Sequence, residues 1–422
     1  MSELIDPLVT GVYNFSYYYP LFMSYLWMIG ALAYYFRWER YPSPTPERSP
    51  RLPDYPGVSV IVPCHNEAEN LRETLDALIE QDYPALEIVL VNDASTDGTA
   101  ALIDELARDH RSVRAVHLRS NQGKGMALRV GALVSRHELL VCIDGDALLA
   151  RNAVTWLMYH LVRYPRVAAV TGNPRIRTRS TLLGKIQVGE FSSIIGLIKR
   201  AQRIYGRIFT VSGVVAAFRK SALQDAGYWS TYIVTDDIDV SWSLQLRHWD
   251  IRFEPNALCW ILMPETLGGL WRQRLRWAQG GTEVLVKNLG RIGRWHVRRM
   301  WPVYLEYVIS MSWAYAMAGI AALWVVNNLV VLPEPFVIET LMPAWTGVIL
   351  GLTCMLQFGV SLAIDSRYER GFGRYYYWMI WYPMAFWVLN VLTAVVALPK
   401  ALVRRRRARG VWRSPDRGLR RG

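Results

Sequence analysis

The sequence predicts an α/β protein: a parallel sheet with helices on both faces, set between long apolar stretches. Three observations predict it. From residue 58 to residue 143, apolar β-branched runs alternate with segments of helical periodicity. Outside that region lie four uncharged apolar stretches, residues 15–36, 307–332, 340–364 and 375–399, each longer than the roughly 20 residues that cross a bilayer as a helix. The hydrophobic fraction, 52% of 422 residues with 18 Trp and 23 Tyr, is high for a soluble enzyme and low for a chain that is membrane throughout.

The elements follow in order. Residues 1–40 hold the first apolar stretch; acids rather than bases precede it and its run is too long for a cleavable signal peptide. Aromatic residues such as Tyr17, Tyr18, Tyr19, Trp38, Tyr376 and Trp378 sit near the ends of these stretches, as interfacial belts do. Arg37, Arg40, Arg48 and Arg51 follow the first stretch, whereas residues 1–14 have no Lys or Arg. The positive-inside rule therefore puts the N-terminus outside and the middle of the chain in the cytoplasm. A Pro-rich linker spans 41–57. Strands are expected at 58–63 (VSVIVP), 87–92 (EIVLVN) and 138–143 (ELLVCI), with a fourth in VRAVHL. Helices are expected at 67–81, in DGTAALIDELARDH and in KGMALRVGALVSR. A less regular half follows to residue 265, with VAAVTG, the basic RIRTRSTLLGKIQ, the strand-like FTVSGVVAAF and IRFEPNALCWIL. Residues 266–302 read as interfacial amphipathic helix, 303–403 as the C-terminal membrane region and 404–422 as an Arg-rich tail.

Net charge is +13, of which the tail's nine Arg and one Asp supply +8. The basic balance thus belongs to the tail, which suits anionic lipid headgroups, and nucleic acid is not an expected partner. Four spans would leave that tail outside, where the positive-inside rule disfavours it. The four cysteines are far apart, with no CxxC, and read as reduced structural residues.

Three acidic sites follow predicted strands: Asp93 in VNDAST, Asp144 and Asp146 in IDGDALL, and Asp236, Asp237 and Asp239 in VTDDIDVSW. Ligands of such sheets bind at the carboxyl ends of strands. A D-x-D there suits Mg²⁺ or Mn²⁺ held against a diphosphate, and Gly145 allows a tight turn. Asn66 and Glu67, ending the adjacent strand, are placed to meet a nucleobase or ribose with Asp93. Lys124 opens a helix whose N–H groups suit phosphate. Neither GxGxxG after the first strand nor GxxxxGK is present, which disfavours dinucleotide and P-loop readings. In VTDDIDVSW, Asp236 is expected as N-cap and Asp239 as its capping-box partner, with Ile238, Trp242, Leu246 and Trp249 as the buried face. Asp237 is left over as a candidate general base. In LGGLWRQRLRWAQGG, Trp271, Leu275 and Ala278 form an apolar stripe of an interfacial helix, which does not account for Gln273, Arg276 and Trp277.

Taken in order, VNDAST, DGD, TDD and QRLRW resemble the motifs of the processive, membrane-embedded family 2 glycosyltransferases, over nearly the whole chain. The longer runs around them look like the poly-β-1,6-N-acetyl-D-glucosamine synthase branch of that family. The resemblance implies a GT-A type (Rossmann-like) cytoplasmic domain in a multi-pass protein of the bacterial inner membrane. It implies inverting, processive transfer from UDP-GlcNAc to a growing polysaccharide coupled to export, with chitin-, hyaluronan- or cellulose-like synthesis, or transfer to a lipid-linked sugar, as the alternative. It implies that Asp237 is the base and that Asn66, Glu67, Asp93, Lys124, Asp144, Asp146, Gln273, Arg276 and Trp277 bind nucleotide and donor. Asp144 and Asp146 would hold Mg²⁺ or Mn²⁺, and Trp277, Asp236, Ser212 and Gly213 would meet the acceptor. Some relatives need a small membrane subunit and respond to cyclic di-GMP, which makes both candidate partners. Two departures stand out: Asp236 replaces the usual Glu, and one apolar stretch precedes the catalytic region where relatives often have two.

Overall fold

The computed structural model describes residues 2–40, 45–334, 336–338, 345–403 and 412. The start of the Pro-rich linker, residues 340–344 of the third apolar stretch and all of the Arg-rich tail but Trp412 lie outside the described residues. In chain order the elements are α1 (Ser2–Tyr34), β1 (Val58–Cys64), α2 (Leu71–Ile79), β2 (Leu86–Asn92), α3 (Thr99–Asp109), β3 (Val113–His117), α4 (Lys124–Val134), β4 (Leu139–Ile143), β5 (Leu148–Leu149) and α5 (Ala153–Arg163). Then come β6 (Val167–Ile176), α6 (Leu182–Glu190), a π-helical turn (Phe191–Leu197), α7 (Ile198–Tyr205), β7 (Val215–Arg219), α8 (Lys220–Ala226), α9 (Asp236–Leu246), β8 (Asp250–Ile261), α10 (Leu267–Ile292), α11 (Trp301–Asn327), α12 (Trp345–Asp365) and α13 (Tyr382–Val403).

Eight strands form one sheet in the order β3-β2-β1-β4-β7-β6-β8-β5. Burial on both faces explains why β1 and β4 read as continuous apolar runs rather than alternating ones. Val58, Val60 and Val62 point into one core with α2 and α5, while Ile61 points into a second core with α4 and α8. Helices on both faces are as expected. The wholly parallel sheet is not: β4–β7, β6–β7 and β5–β8 are antiparallel. Reversal of β7 has a consequence for the site. Its first residue, Val215, pairs with Ile143 at the carboxyl end of β4, so the loop before β7 arrives beside the D-x-D. The strand-like FTVSGVVAAF is accordingly strand only from Val215; Ser212 contributes one isolated bridge and is otherwise loop.

Among the described residues three helices are long and apolar enough to cross a membrane, Trp295–Asn327, Trp345–Asp365 and Ala385–Val403; α1, which carries the first of the four expected stretches, is not one of them. The first two match expected stretches. In the last, the span begins later than residue 375, because Phe372–Trp381 is a 3₁₀ helix. Phe358, Leu362, Tyr382 and Phe386 join the same apolar core as β1 and α2, so the apolar helices pack directly on the α/β domain. All four cysteines are free and buried.

Candidate active site

The carboxyl ends of β1, β2 and β4 form the floor of a cleft. After β1, Asn66 adopts φ 58°, a conformation unusual for a non-glycine residue, and its Oδ1 accepts the Thr96 N–H at 2.8 Å. Glu67 is buried. Asp93, after β2, is fully buried, and its carboxylate accepts the N–H groups of Gln122 and Gly123 at 2.8 Å each. Its oxygens therefore shape the loop that starts α4. The tail's Trp412 lies here too: its indole stacks on His65 with centroids 5.9 Å apart, and its backbone N–H donates to Asn121 Oδ1.

Asp144 and Asp146 follow β4 with both side chains partly exposed. Gly145 between them is required by close approach rather than by an unusual φ: a Cβ there would lie 2.9 Å from Glu67 Cγ. Lys124 does not point away to solvent from its helix start. Its Nζ lies 2.5 Å from Asp144 Oδ1 and donates to the Gly213 carbonyl at 2.9 Å, tying the D-x-D to the loop before β7. Burial opposes its charge, but Asp144, Asp236 and Asp237 outweigh that and hold it above the usual lysine range. Among the described residues no cluster of three or more His, Cys, Asp and Glu occurs. Two carboxylates without a further protein cage are the donor set expected for a hard cation completed by diphosphate oxygens and water.

The expected roles in VTDDIDVSW change. Thr235, in extended conformation, is the N-cap residue of α9, without a side-chain capping bond. Asp236 is the first helical residue, not the N-cap. Asp239 is not its capping partner: it is buried and paired with Lys287 Nζ and the Ser230 hydroxyl, both at 2.5 Å. Ile238 and Trp242 are buried as expected; Leu246 is only partly so, and Trp249 lies beyond the helix, its indole N–H donating to Asp225. Asp237 Oδ1 accepts the Ile238 N–H at 2.9 Å, and Gly213 sits so close that a Cβ there would lie 3.0 Å from Asp237 Oδ2. Burial and the neighbouring Asp236 push the Asp237 carboxyl up to about 6, against the opposing pull of Lys124, the Ile238 N–H and Arg276.

The helix α10 closes the cleft. Its Gly280 packs on the start of α9, where a Cβ would lie 2.1 Å from Thr235 Oγ1. Arg276 is exposed and acts on Asp237 through its field. Gln273 Nε2 lies 3.6 Å from Met263 Sδ, while its Oε1 is buried without a hydrogen-bond partner among the described residues. Trp277 is partly buried against Phe191, at 6.4 Å between centroids. The structure thus gathers Lys124, Asp144, Asp237, Ser212, Gly213 and Arg276 into one charged group, with Asp93 beneath it and Trp277 packed toward the core. Two residues escaped the sequence reading. Arg274 is buried and paired with Glu190 at 2.6 Å, its guanidinium 4.4 Å from the Trp277 ring; the signal was a lone acid, Glu190, in an otherwise apolar run. Lys199 is buried beside Ser212, and its place in a basic stretch hid it.

Comparisons with known proteins agree with this geometry. Residues 56–280 match the model of the glycosyltransferase like family 2. The poly-beta-1,6-N-acetyl-D-glucosamine synthase of Staphylococcus epidermidis is 38% identical over 407 residues, covering 96% of this chain and 98% of the relative. The enzyme of the same name from Staphylococcus aureus strain COL is 38% identical over 409 residues, with the same coverage. Among solved structures, the mannosyltransferase PcManGT from Pyrobaculum calidifontis, in complex with GDP-Man and Mn²⁺, superposes with a TM-score of 0.65 at 22% identity, covering 94% of this chain and 98% of that one. The sheet order, the motif geometry and these relatives together make the chain a GT-A type glycosyltransferase of family 2, in the branch of the poly-β-1,6-N-acetyl-D-glucosamine synthases.

Proposed function

We propose that the enzyme transfers N-acetylglucosamine from UDP-GlcNAc, with inversion, to the end of a growing β-1,6-linked chain, and that the product passes into the membrane region as it grows. The observation that carries this reading is the joining of the D-x-D to Asp237 through Lys124 and Gly213. Donor diphosphate and acceptor hydroxyl then meet in one cleft.

An acceptor hydroxyl attacks the anomeric carbon opposite the diphosphate. The new C–O bond forms as the bond to the phosphate oxygen breaks, and its electrons stay on the leaving UDP. Asp237 accepts the hydroxyl proton; a carboxyl poised near pH 6 is ionised at neutral pH yet basic enough for the task. Lys124 and Arg276 balance charge developing on the diphosphate. Asp144 and Asp146 would hold Mg²⁺ or Mn²⁺, which supplies Lewis-acid neutralisation of the diphosphate when bound. Asn66 and Glu67 border the nucleoside, with Asp93 holding their pocket in shape. Gln273 and Trp277 meet the diphosphate and the acceptor sugar. Ser212, Gly213 and Asp236 line the acceptor side.

The protein then sits in the bacterial inner membrane with its α/β domain on the cytoplasmic side, a reading supported by the three long apolar helices and by the Arg residues that follow the first apolar stretch. A small membrane subunit and cyclic di-GMP remain candidate partners by family resemblance. Purified enzyme given UDP-GlcNAc and Mg²⁺ or Mn²⁺ should release UDP and form a polymer whose linkage analysis reads β-1,6. A β-1,4 product, or transfer only to lipid, would replace this reading with the chitin-like or lipid-linked alternative.

A further inference from the structure

Lys199, on α7, is 5% exposed. Among the described residues its ammonium has no carboxylate partner at hydrogen-bond distance; it donates to Ser212 Oγ at 2.7 Å and Thr171 Oγ1 at 3.1 Å. A buried ammonium answered by two hydroxyls and, at 6.0 Å, by the face of the Phe253 ring is costly to desolvate. Burial lowers its affinity for a proton to about 7, and the field of Asp237 pulls it back up.

The two hydroxyls lead to the reaction centre. Thr171 Oγ1 also accepts the Ser212 N–H at 2.8 Å. The Val211 N–H donates to Ser241 Oγ at 2.9 Å, and Ser241 Oγ donates to the Asp237 carbonyl at 2.7 Å. Lys124 holds the Gly213 carbonyl. Each residue of Val211–Gly213 is thereby pinned, and the loop lies against Asp237. Ser212 has one hydroxyl proton. Because its oxygen accepts from Lys199, which has no lone pair, that proton is directed elsewhere.

We propose that Lys199 is a positioning residue for the acceptor: it fixes Ser212 as a hydrogen-bond donor to the incoming sugar and sets a buried positive charge within the field of Asp237. This rests on the reading of Asp237 as base. A charge-assisted donor chain, ammonium to hydroxyl to sugar oxygen, is stronger than the neutral bond the serine makes alone. It also orients the acceptor without taking the proton that Asp237 must remove.

The test compares Lys199→Met, Lys199→Arg and Ser212→Ala in the full-length enzyme, with UDP-GlcNAc as donor and a short β-1,6-linked N-acetylglucosamine oligosaccharide as acceptor. Lys199→Met should raise the acceptor KM and lower kcat, together roughly tenfold to a hundredfold in kcat/KM, with the donor KM within about twofold. Ser212→Ala should reproduce the acceptor KM change, and the double variant should be little worse than either. Asp236, Lys124, Arg276 and Lys199 all face Asp237. Removing only the Lys199 charge should therefore move the acid limb of the pH profile to higher pH, an effect Lys199→Arg and Ser212→Ala should not show. A merely structural lysine would change thermal stability without moving that limb. UDP binding checks that each variant is folded. Should Lys199→Met not fold, Ser212→Ala decides: wild-type acceptor kinetics there overturn the proposal. So do wild-type acceptor KM and acid limb in folded Lys199→Met. Full turnover in Asp237→Asn would instead overturn the base assignment on which the proposal rests.

Discussion

Two of the buried charge groups among the described residues are built on opposite plans. Where α12 ends, Asp365 is fully buried and meets Arg175 Nη1 and Arg200 Nη1 at 3.0 Å each and Ser192 Oγ at 2.7 Å. Arg200 continues to Glu39 at 2.7 Å, whose carboxylate also accepts from Tyr368. Cation and anion alternate, and the cluster ties the π-helical segment that follows α1 (Tyr35–Glu39), β6, α7 and α12 together. In the cleft, Asp236 and Asp237 adjoin, Lys199 meets hydroxyls and the Phe253 ring, and Lys124 spends its closest contact on Asp144. Complete neutralisation there would leave nothing to respond to a proton or a diphosphate. The first group joins the domain to its apolar helices; the second keeps charge available for reaction.

The largest effect that tests this contrast is on rate. Asp237→Asn removes the base while keeping shape, and turnover should fall roughly 10²–10⁴-fold with UDP binding intact. UDP release and UDP affinity, measured on one preparation, check it; normal turnover would move the base elsewhere. In the other cluster, Asp365→Asn strands Arg175 as a buried cation and leaves Arg200 with Glu39 as its remaining carboxylate. It should destabilise the fold by about 3–5 kcal/mol and show as lost yield and a lower unfolding midpoint, with kcat of the surviving protein near normal. Equal stability of Asp365→Asn and wild type would show that the cluster is not built as its distances indicate.

A smaller effect should have opposite sign at the two sites. Asp237 has its pKa raised from 3.8 to about 6, so its protonated form is favoured by folding. The stabilisation is full below 3.8 and lost as pH rises through about 6. Because the side chain is partly open to the cleft, the loss at pH 8 is discounted to about 1–2 kcal/mol. Asp237→Asn should therefore unfold at a higher temperature than wild type at pH 8 and at nearly the same temperature at pH 4. Activity has the reverse dependence: the base must be ionised, so kcat/KM should fall as pH drops through about 6. A stability gain for Asp365→Asn, or a loss for Asp237→Asn, would erase the distinction between the two clusters.

The sequence made these regions unequally legible. Carboxylates after apolar strands mark chemistry directly, so Asp93, Asp144 and Asp146 stood out, as did the first strands and helices; Asp237, expected after a strand as well, instead opens α9 after the loop that follows α8. Residues whose meaning depends on a distant partner did not. Arg175, Arg200 and Asp365 are widely separated in the chain, and nothing local shows that they meet. The same is true of Lys199 with Ser212 and of Arg274 with Glu190. The antiparallel β7 was hidden because a short apolar strand carries no sign of its direction. Capping in VTDDIDVSW was misread because Asp and Thr are both good N-caps, and local spacing does not choose between Thr235 and Asp236. Asp239 looked like a capping partner until Lys287, on a distant helix, claimed it.

The smallest effect concerns Asp236, and it sharpens the contrast most. As the first residue of α9, Asp236 keeps a favourable interaction with the helix dipole whether it is Asp or Glu. It is partly exposed, which leaves room for one more methylene. Asp236→Glu should therefore keep kcat within about threefold and stability within about 0.5 kcal/mol of wild type. Asp236→Asn should act through charge instead. It removes the like charge that raises Asp237, so the acid limb of kcat/KM should move to lower pH while the rate near pH 8 changes little. An inactive Asp236→Glu enzyme beside an active Asp237→Asn enzyme would exchange the roles of the two residues. The cleft would then carry its base on the first residue of the helix, with Asp237 as the neighbour that tunes it.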